Sequence, residues 1–521
     1  MTESTAASPS RRARAFTLYP FLFAAYPVLF LWSQNLGETS AGDVLPLLGI
    51  VLAVTAVAMV VLTLIFRDAR RAALVVAPIA VAILMYGHLA IIVRPFHVGP
   101  LLQQAAWVLL VGLGILGALR LRERPLQRAS GILNGISAIL VIVALVGIVP
   151  YQVTAATTAQ VAPPQAVAGS GASQRPLRDV YYLILDRYGS DEALSLRYGI
   201  ENDLTPWLAD HGFRVLNDSN ANYVRTTLSI ASTLNMTHLT DLAARVGADS
   251  RGYGPLYDML QDSRIVEQFK ALGYKYTHIG SYFSPTRSDT GADRDLYIGG
   301  PSDFGATLYD TSALPRVFRA LHIAGLSRAE RLYENKVFGF KALDSVRDDP
   351  GPKFVFAHIL LPHPPYLITR DGQFRDAAAA AQLSDEEQFG DQLAWTNDQL
   401  RAWIESLQAL PEDRRPIIIL QADEGPYPRA YGADTTTYDW ADASPRDLLI
   451  KFGILNAWYL PDGTDPGLYD SMTSVNTFPT LFSGYYGLDV PKLEDRVYTS
   501  KRPGQPYDLT DITDRLESAQ P

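Results

Sequence analysis

Apolar residues gather into five long stretches, at about 16–33, 45–66, 73–93, 101–119 and 131–150, and beyond them come only in short runs divided by polar segments. Each long stretch is wide enough, or nearly so, to cross a bilayer. The pattern predicts a five-helix transmembrane block over residues 1–150. Arginine alternates between its connections. Arg11, Arg12 and Arg14 precede the first stretch, Arg67, Arg70 and Arg71 follow the second, and Arg120, Arg122, Arg124 and Arg128 follow the fourth, whereas the two other connections share only Arg94. By the positive-inside rule the N-terminus is cytoplasmic and everything after residue 150 lies outside a plasma (inner) membrane that the chain crosses several times. A cleaved signal peptide fits less well, because the first stretch is one of five and has no small-residue cleavage site.

Residues 151–177 begin with a charge-free Ala/Thr/Pro/Gly/Ser-rich tract, the composition of a flexible linker. From 178 to 521 the period changes. VYYLIL (180–185), GYKYTHIG (273–280), KFVFAHILL (353–361) and PIIILQ (416–421) read as buried strands, and segments such as SRIVEQFKALG between them read as helices closed by glycine. Alternating strands and helices predict an α/β domain with a mainly parallel central sheet, whose ligands bind beyond the carboxyl ends of the strands.

Composition narrows the chemistry. The 521 residues include no cysteine, which excludes disulfides, thiolate metal sites and a thiol nucleophile. Residues 129–521 carry 34 Lys+Arg against 49 Asp+Glu, a balance that argues against nucleic acid as a partner. The five apolar stretches hold almost no ionisable side chain apart from His88, so they read as an anchor or lipid-facing platform and not as an ion path.

Chemistry is therefore sought just after the strands. Asp186 follows the first, in LILDRYGS, and Asp423 and Glu424 follow the fourth, in IIILQADEGP. Either position alone also suits a cap or turn former. Together they are grouped like charges that need a cation or a proton to coexist, and oxygen ligands suit a hard divalent metal. In NYVRTTLSIASTLN, Thr226 or Thr227 falls near a helix N-terminus, where amides attract anions and a hydroxyl beside a metal becomes a nucleophile; an ordinary N-cap threonine reads the same way. His358 and His363, in FAHILLPHPPY, suit either packing or a cleft, and His278 at another strand end is the weaker candidate.

The order LILDRYGS, NYVRTTLSIASTLN, HILLPHPPY, IIILQADEGP and ILNAWYLPDG resembles the sulfatase-like branch of the alkaline phosphatase superfamily. Within it the chain is most similar to the membrane-anchored lipoteichoic acid synthase and phosphoethanolamine transferase group, over about residues 178–510. The resemblance implies a divalent metal held by Asp186, Thr226, Asp423 and Glu424, with Thr226 as nucleophile and His363 at the substrate phosphate. It places His358, Ser229, Arg294 and His278 among substrate-binding residues. It also implies a phosphoglycerol- or phosphoethanolamine-type transferase or phosphoesterase, taking a membrane lipid or lipid-linked donor and an envelope glycan or lipid acceptor. Where the family has Asp-His-Gly this chain has Asp423-Glu424-Gly425. That change favours Mn, Mg or Ca over Zn if Glu424 ligates; the alternative is a site without metal, in a catalytically inactive envelope protein with a structural or assembly role. Formylglycine chemistry needs Cys or Ser where this chain has Thr226, so phosphoryl transfer is preferred over sulfate ester hydrolysis.

Overall fold

The computed structural model describes residues 17–36, 39–88, 99–158, 175–300, 302–321, 327–433, 438–500 and 504–519. The chain forms two compact units, one of residues 1–150 with 304–325, the other of 151–303 with 326–521.

In the first unit the apolar stretches are helical: Tyr19–Gln34, Ala41–Phe66, Ala69–Leu84, Pro100–Arg120 and Glu123–Thr158. Three of these, at Ala41–Phe66, Leu102–Arg120 and Glu123–Thr154, are long and apolar enough to cross a membrane. Along the first of the three, Leu45, Ile50, Val54, Val57, Val61 and Leu64 face outward, as they do where lipid replaces water. Among the described residues three such spans are found, and the expected count of five is not confirmed. Tyr19–Gln34 and Ala69–Leu84 have 16 residues each, which at about 1.5 Å per residue is shorter than a hydrocarbon core of about 30 Å. Residues 89–93, the end of the third expected span, lie outside the described residues.

The last of these helices continues through the start of the expected linker as far as Thr158; residues 159–174 lie outside the described residues. One element was not legible in advance. The helix Asp303–Asp310 returns to the first unit, where Phe304 and Leu308 join the core around Val28, Trp32 and Val44, and Ala313 donates to Ile83 O at 2.7 Å. No long apolar run marks this excursion, which among the described residues is also held by Arg316 over the Tyr86 ring at 4.3 Å.

The second unit is built on a seven-stranded sheet. Its strands are β1 (Val180–Leu185), β2 (Arg214–Val215), β3 (Lys275–Ile279), β4 (Arg294–Leu296), β5 (Lys353–Ile359), β6 (Ile417–Gln421) and β7 (Asn456–Tyr459), in the order β2-β7-β6-β1-β5-β3-β4. β6, β1, β5, β3 and β4 run parallel, and β7 is antiparallel to both β6 and β2. A small antiparallel pair, β8 (Tyr498–Ser500) and β9 (Leu509–Asp511), stands apart.

β1 is apolar throughout because both its faces are covered. Val180, Tyr182 and Ile184 enter the core formed with the helices Thr226–Asn235 and Arg264–Ala271. Tyr181, Leu183 and Leu185 enter the opposite core, with the helices Arg328–Val346 and Asp385–Gln408. In register, Ile184 stands opposite His358 of β5 and Gln421 of β6. Three neighbouring parallel strands thus end together, and whatever follows them is gathered at one edge.

Candidate active site

Asp186 is the first residue after β1, fixed by its amide on Ile359 O at 3.0 Å. Asp423 comes two residues after β6. His358 sits in β5, on the other side of β1 from β6, and its Nδ1 meets Thr286 Oγ1 at 2.6 Å, which turns Nε2 toward Asp186, 3.7 Å from Oδ2. Asp186, His358 and Asp423 are all buried, and one ligand atom of each lies within 4.8 Å of those of the other two. Asp186 Oδ1, His358 Nε2 and Asp423 Oδ2 have no hydrogen-bond partner among the described residues. Buried polar atoms are normally satisfied, so three orphans converging from three strands fit a divalent cation.

Electrostatics agree with that fit. Burial works against the charge of Asp186, yet His363, His358 and Arg187 hold its carboxyl below the usual range. Asp423 is pushed well above it by burial and by the Asp186 and Glu424 charges, against the Thr226 hydroxyl and Lys451. Two adjacent carboxylates thus do not ionise together on the protein's own charges, and a cation between them removes the conflict.

Thr226 opens the helix Thr226–Asn235 and stands close enough to Asp423 for its hydroxyl to oppose the rise of that carboxyl's pKa. The preceding Arg225 is extended, and the first bond of the helix runs from Ser229 N to Arg225 O at 3.0 Å. The amides of Thr226, Thr227 and Leu228 are therefore not spent within the helix and favour an anion beside the hydroxyl. Arg225 itself has a buried Nε without a partner. Tyr253, Tyr427, Tyr431 and Glu424 surround its guanidinium and raise its pKa against the effect of burial.

Glu424 lies outside the converging group. Its Oε1 accepts from Arg187 Nε at 3.0 Å and from Lys451 Nζ at 2.8 Å. The Glu424 side chain expected as a ligand is drawn into a buried ion cluster through Oε1, while its Oε2 is buried and has no hydrogen-bond partner among the described residues; His358, expected on the substrate, stands in the converging group. Arg187 adopts φ of 62°, a left-handed conformation unusual for a side chain of its size. That turn brings its amide to Asp423 Oδ1 at 3.3 Å and its guanidinium over the Tyr427 ring at 3.9 Å. Lys451 lies over the same ring at 3.9 Å, and burial lowers its pKa to about 8 against the pull of Glu424.

Gly425 lets the carboxylate pair sit against the helix Pro445–Phe452, with its amide on Lys451 O at 2.8 Å. A Cβ there would stand 2.3 Å from Ile450 O. Gly425→Ala should therefore destabilise the protein by about 1–3 kcal/mol, as overpacking against backbone does. Thermal unfolding measured in parallel with metal binding checks this; unchanged stability would mean that the turn relaxes freely.

His363 lies beside Asp186 on the loop after β5, with Nδ1 against Pro364 O. Burial, then Arg187 and Lys336, lower its pKa to about 3 despite Asp186, so its imidazole is neutral and presents Nε2 as an acceptor. Buried Lys336 braces this loop, donating to His363 O at 2.6 Å. Ser229 is buried on the helix that Thr226 opens, its hydroxyl unpartnered among the described residues. The structure does not bring the other two expected residues to the site. His278 pairs with Asp295 at 2.7 Å across β3 and β4, and Arg294 pairs with Asp349. Arg187, Arg225, Lys451 and Tyr427 are the residues that sequence reasoning passed over. Arg187 and Arg225 each adjoin a residue it singled out.

No family model and no curated protein matches this chain. Among solved structures, the C-terminal periplasmic domain of EptC from Escherichia coli aligns at 14% identity and a TM-score of 0.43, over 68% of this chain and 97% of that one. The integral membrane lipooligosaccharide phosphoethanolamine transferase A of Neisseria meningitidis aligns at 12% and 0.43, over 94% and 96%. A sulfatase, yidJ, from Bacteroides fragilis aligns at 12% and 0.35, over 61% and 76%. At this distance the chain's function is argued from its own site.

Proposed function

We propose that the chain is a membrane-anchored phosphoryl-group transferase or phosphoesterase that works through Thr226 on an envelope lipid or glycan. The observation that carries this reading is the convergence of Asp186, His358 and Asp423, with unpartnered ligand atoms, beside a threonine hydroxyl at a helix N-terminus.

Asp186, His358 and Asp423 would hold a divalent cation, with the Thr226 hydroxyl next to it. With an imidazole in the set and Glu424 withdrawn from it, Zn²⁺ or Mn²⁺ suits the donors better than Mg²⁺ or Ca²⁺. When bound, such a cation lowers the pKa of a neighbouring hydroxyl and offsets charge gathering on phosphoryl oxygens.

The remaining steps belong to the side chains. Thr226 Oγ1 gives up its proton to solvent and attacks phosphorus, while the bond to the leaving oxygen breaks and that oxygen departs with the electron pair and takes up a proton from solvent. The unspent amides of the helix and the Arg225 guanidinium meet the phosphoryl oxygens. Transfer from phosphothreonine to an acceptor hydroxyl, or to water, restores Thr226. Neutral His363 orients that incoming hydroxyl by accepting its hydrogen through Nε2.

The test is elemental analysis of purified full-length protein, together with intact-mass analysis after incubation with membrane phospholipid. About one divalent ion per chain and a phosphorus-containing adduct mapped to Thr226 are expected, with chelation abolishing the adduct. A chain that holds no divalent ion and gains no melting temperature on metal addition would instead be a silent envelope component.

A further inference from the structure

Two cavities adjoin beside the metal group on the second unit. One, of about 290 Å³, is lined by Arg187, Pro362, Pro364 and Tyr427 and so borders the site. The other, of about 380 Å³, lies farther along and includes Arg446 and Asp447 in its wall. Arg197, Tyr198 and Arg429 line both. Four arginines thus follow one another from the metal group outward. They do so in a region of the chain, residues 129–521, where acidic residues outnumber basic ones by 49 to 34.

The carboxylates along this track are already engaged. Asp385 pairs with Arg197 at 2.7 Å, and Glu386 is shared between Arg197 and Arg429. Asp447 accepts from Tyr438 at 3.0 Å. Arg446 donates to Leu196 O and forms no ion pair among the described residues. Arg197 is held in place by Tyr427 O at 2.8 Å, whereas the Arg429 side chain is 72% exposed and, among the described residues, held only by its ion pair with Glu386.

The aromatic walls are engaged as well. Tyr198 carries the Arg197 guanidinium at 4.4 Å and stacks on Phe389 at 3.7 Å; Tyr427 carries Arg187 at 3.9 Å and lies against Tyr431 at 4.4 Å. An ammonium group entering here meets arginines first, with the rings of Tyr198 and Tyr427 already carrying guanidinium groups and the carboxylates of this track already paired among the described residues. An anion meets N–H donors with charge behind them.

We infer that the cavity walled by Arg197, Arg429 and Arg446 is a second anion subsite, which holds a non-reacting phosphate of the substrate while the reacting phosphate lies at Thr226. This rests on the reading of Thr226 and the metal group given above, and adds to it a substrate that carries two phosphates. The second phosphate belongs to either the donor or the acceptor.

Calorimetric titration of full-length Mn²⁺-loaded protein in detergent tests it, with glycerol 1,3-bisphosphate and glycerol 3-phosphate as probes. The bisphosphate should bind about tenfold more tightly. Arg429→Glu with Arg446→Glu, both exposed positions away from the proposed nucleophile, should erase that advantage and leave the monophosphate Kd and the melting temperature unchanged. Repeating the titration on protein already carrying phosphothreonine assigns the source. Retained bisphosphate binding places the second phosphate on the acceptor, and lost binding places it on the donor. Equal affinities in the wild type, or an advantage that survives the double charge reversal, overturns the subsite. If neither probe binds although Thr226 acquires its adduct, only the subsite falls. If neither binds and no adduct forms, the reading of Thr226 falls with it.

Discussion

Thr226→Ala should lower turnover of a phosphodiester substrate by at least about 10³-fold, or about 4 kcal/mol of transition-state stabilisation, because it deletes the proposed nucleophile. Thr226 begins its helix and contributes no side-chain cap, so removing its hydroxyl costs the fold little. Bound metal and melting temperature should change far less than rate. Thr226→Ser keeps the oxygen at the same place and should retain measurable activity and a mass adduct, now on serine. Comparable activity in Thr226→Ala would move the chemistry to Thr227 or abolish the covalent route. The comparison is informative because Thr227 is buried on the same helix, one residue on.

What could be foreseen of this site follows from how each residue is placed. Asp186 and Asp423 come directly after apolar runs, and a parallel sheet delivers strand ends to one edge whatever the details of packing. Thr226 was legible because a helix start needs only a local pattern. The partners of Glu424 depend on long-range packing, with Lys451 supplied by a helix 27 residues farther on. Even so, PRDLLIKF held a signal. Lys451 falls three residues after Leu448 and one before Phe452, on the buried stripe, where a lysine needs a partner. The left-handed turn at Arg187 left no such trace, since nothing in DRYG marks a residue other than glycine for positive φ. His358 was visible as a histidine, but its assignment to the ligand group depends on β5 lying next to β1. In the membrane block five apolar stretches look alike in sequence, and it is the length of helix among the described residues that sets three of them apart.

Lys451→Met should destabilise the second unit by about 3 kcal/mol, since it strips one of two cations from a buried carboxylate while Arg187 remains. Glu424→Gln should also destabilise, by leaving Lys451 charged in the same enclosed space. The double variant should recover most of either loss, with a coupling of about 1–3 kcal/mol in thermal or urea unfolding of the full chain. Additive losses would mean that the two residues act independently. The cycle bears on function because proteins that this sequence resembles carry a neutral histidine where Glu424 stands. An added carboxylate next to Asp423 would push that residue further toward its protonated form and weaken it as a ligand. Lys451, 2.8 Å from Glu424, offsets part of the added charge at Asp423. The pair therefore limits the pressure on Asp423 to hold a proton, and so helps to keep its lone pairs for a cation. If so, Glu424→Gln should leave bound metal nearly unchanged, whereas Lys451→Met, with its uncompensated anion, should alter metal affinity as well as stability.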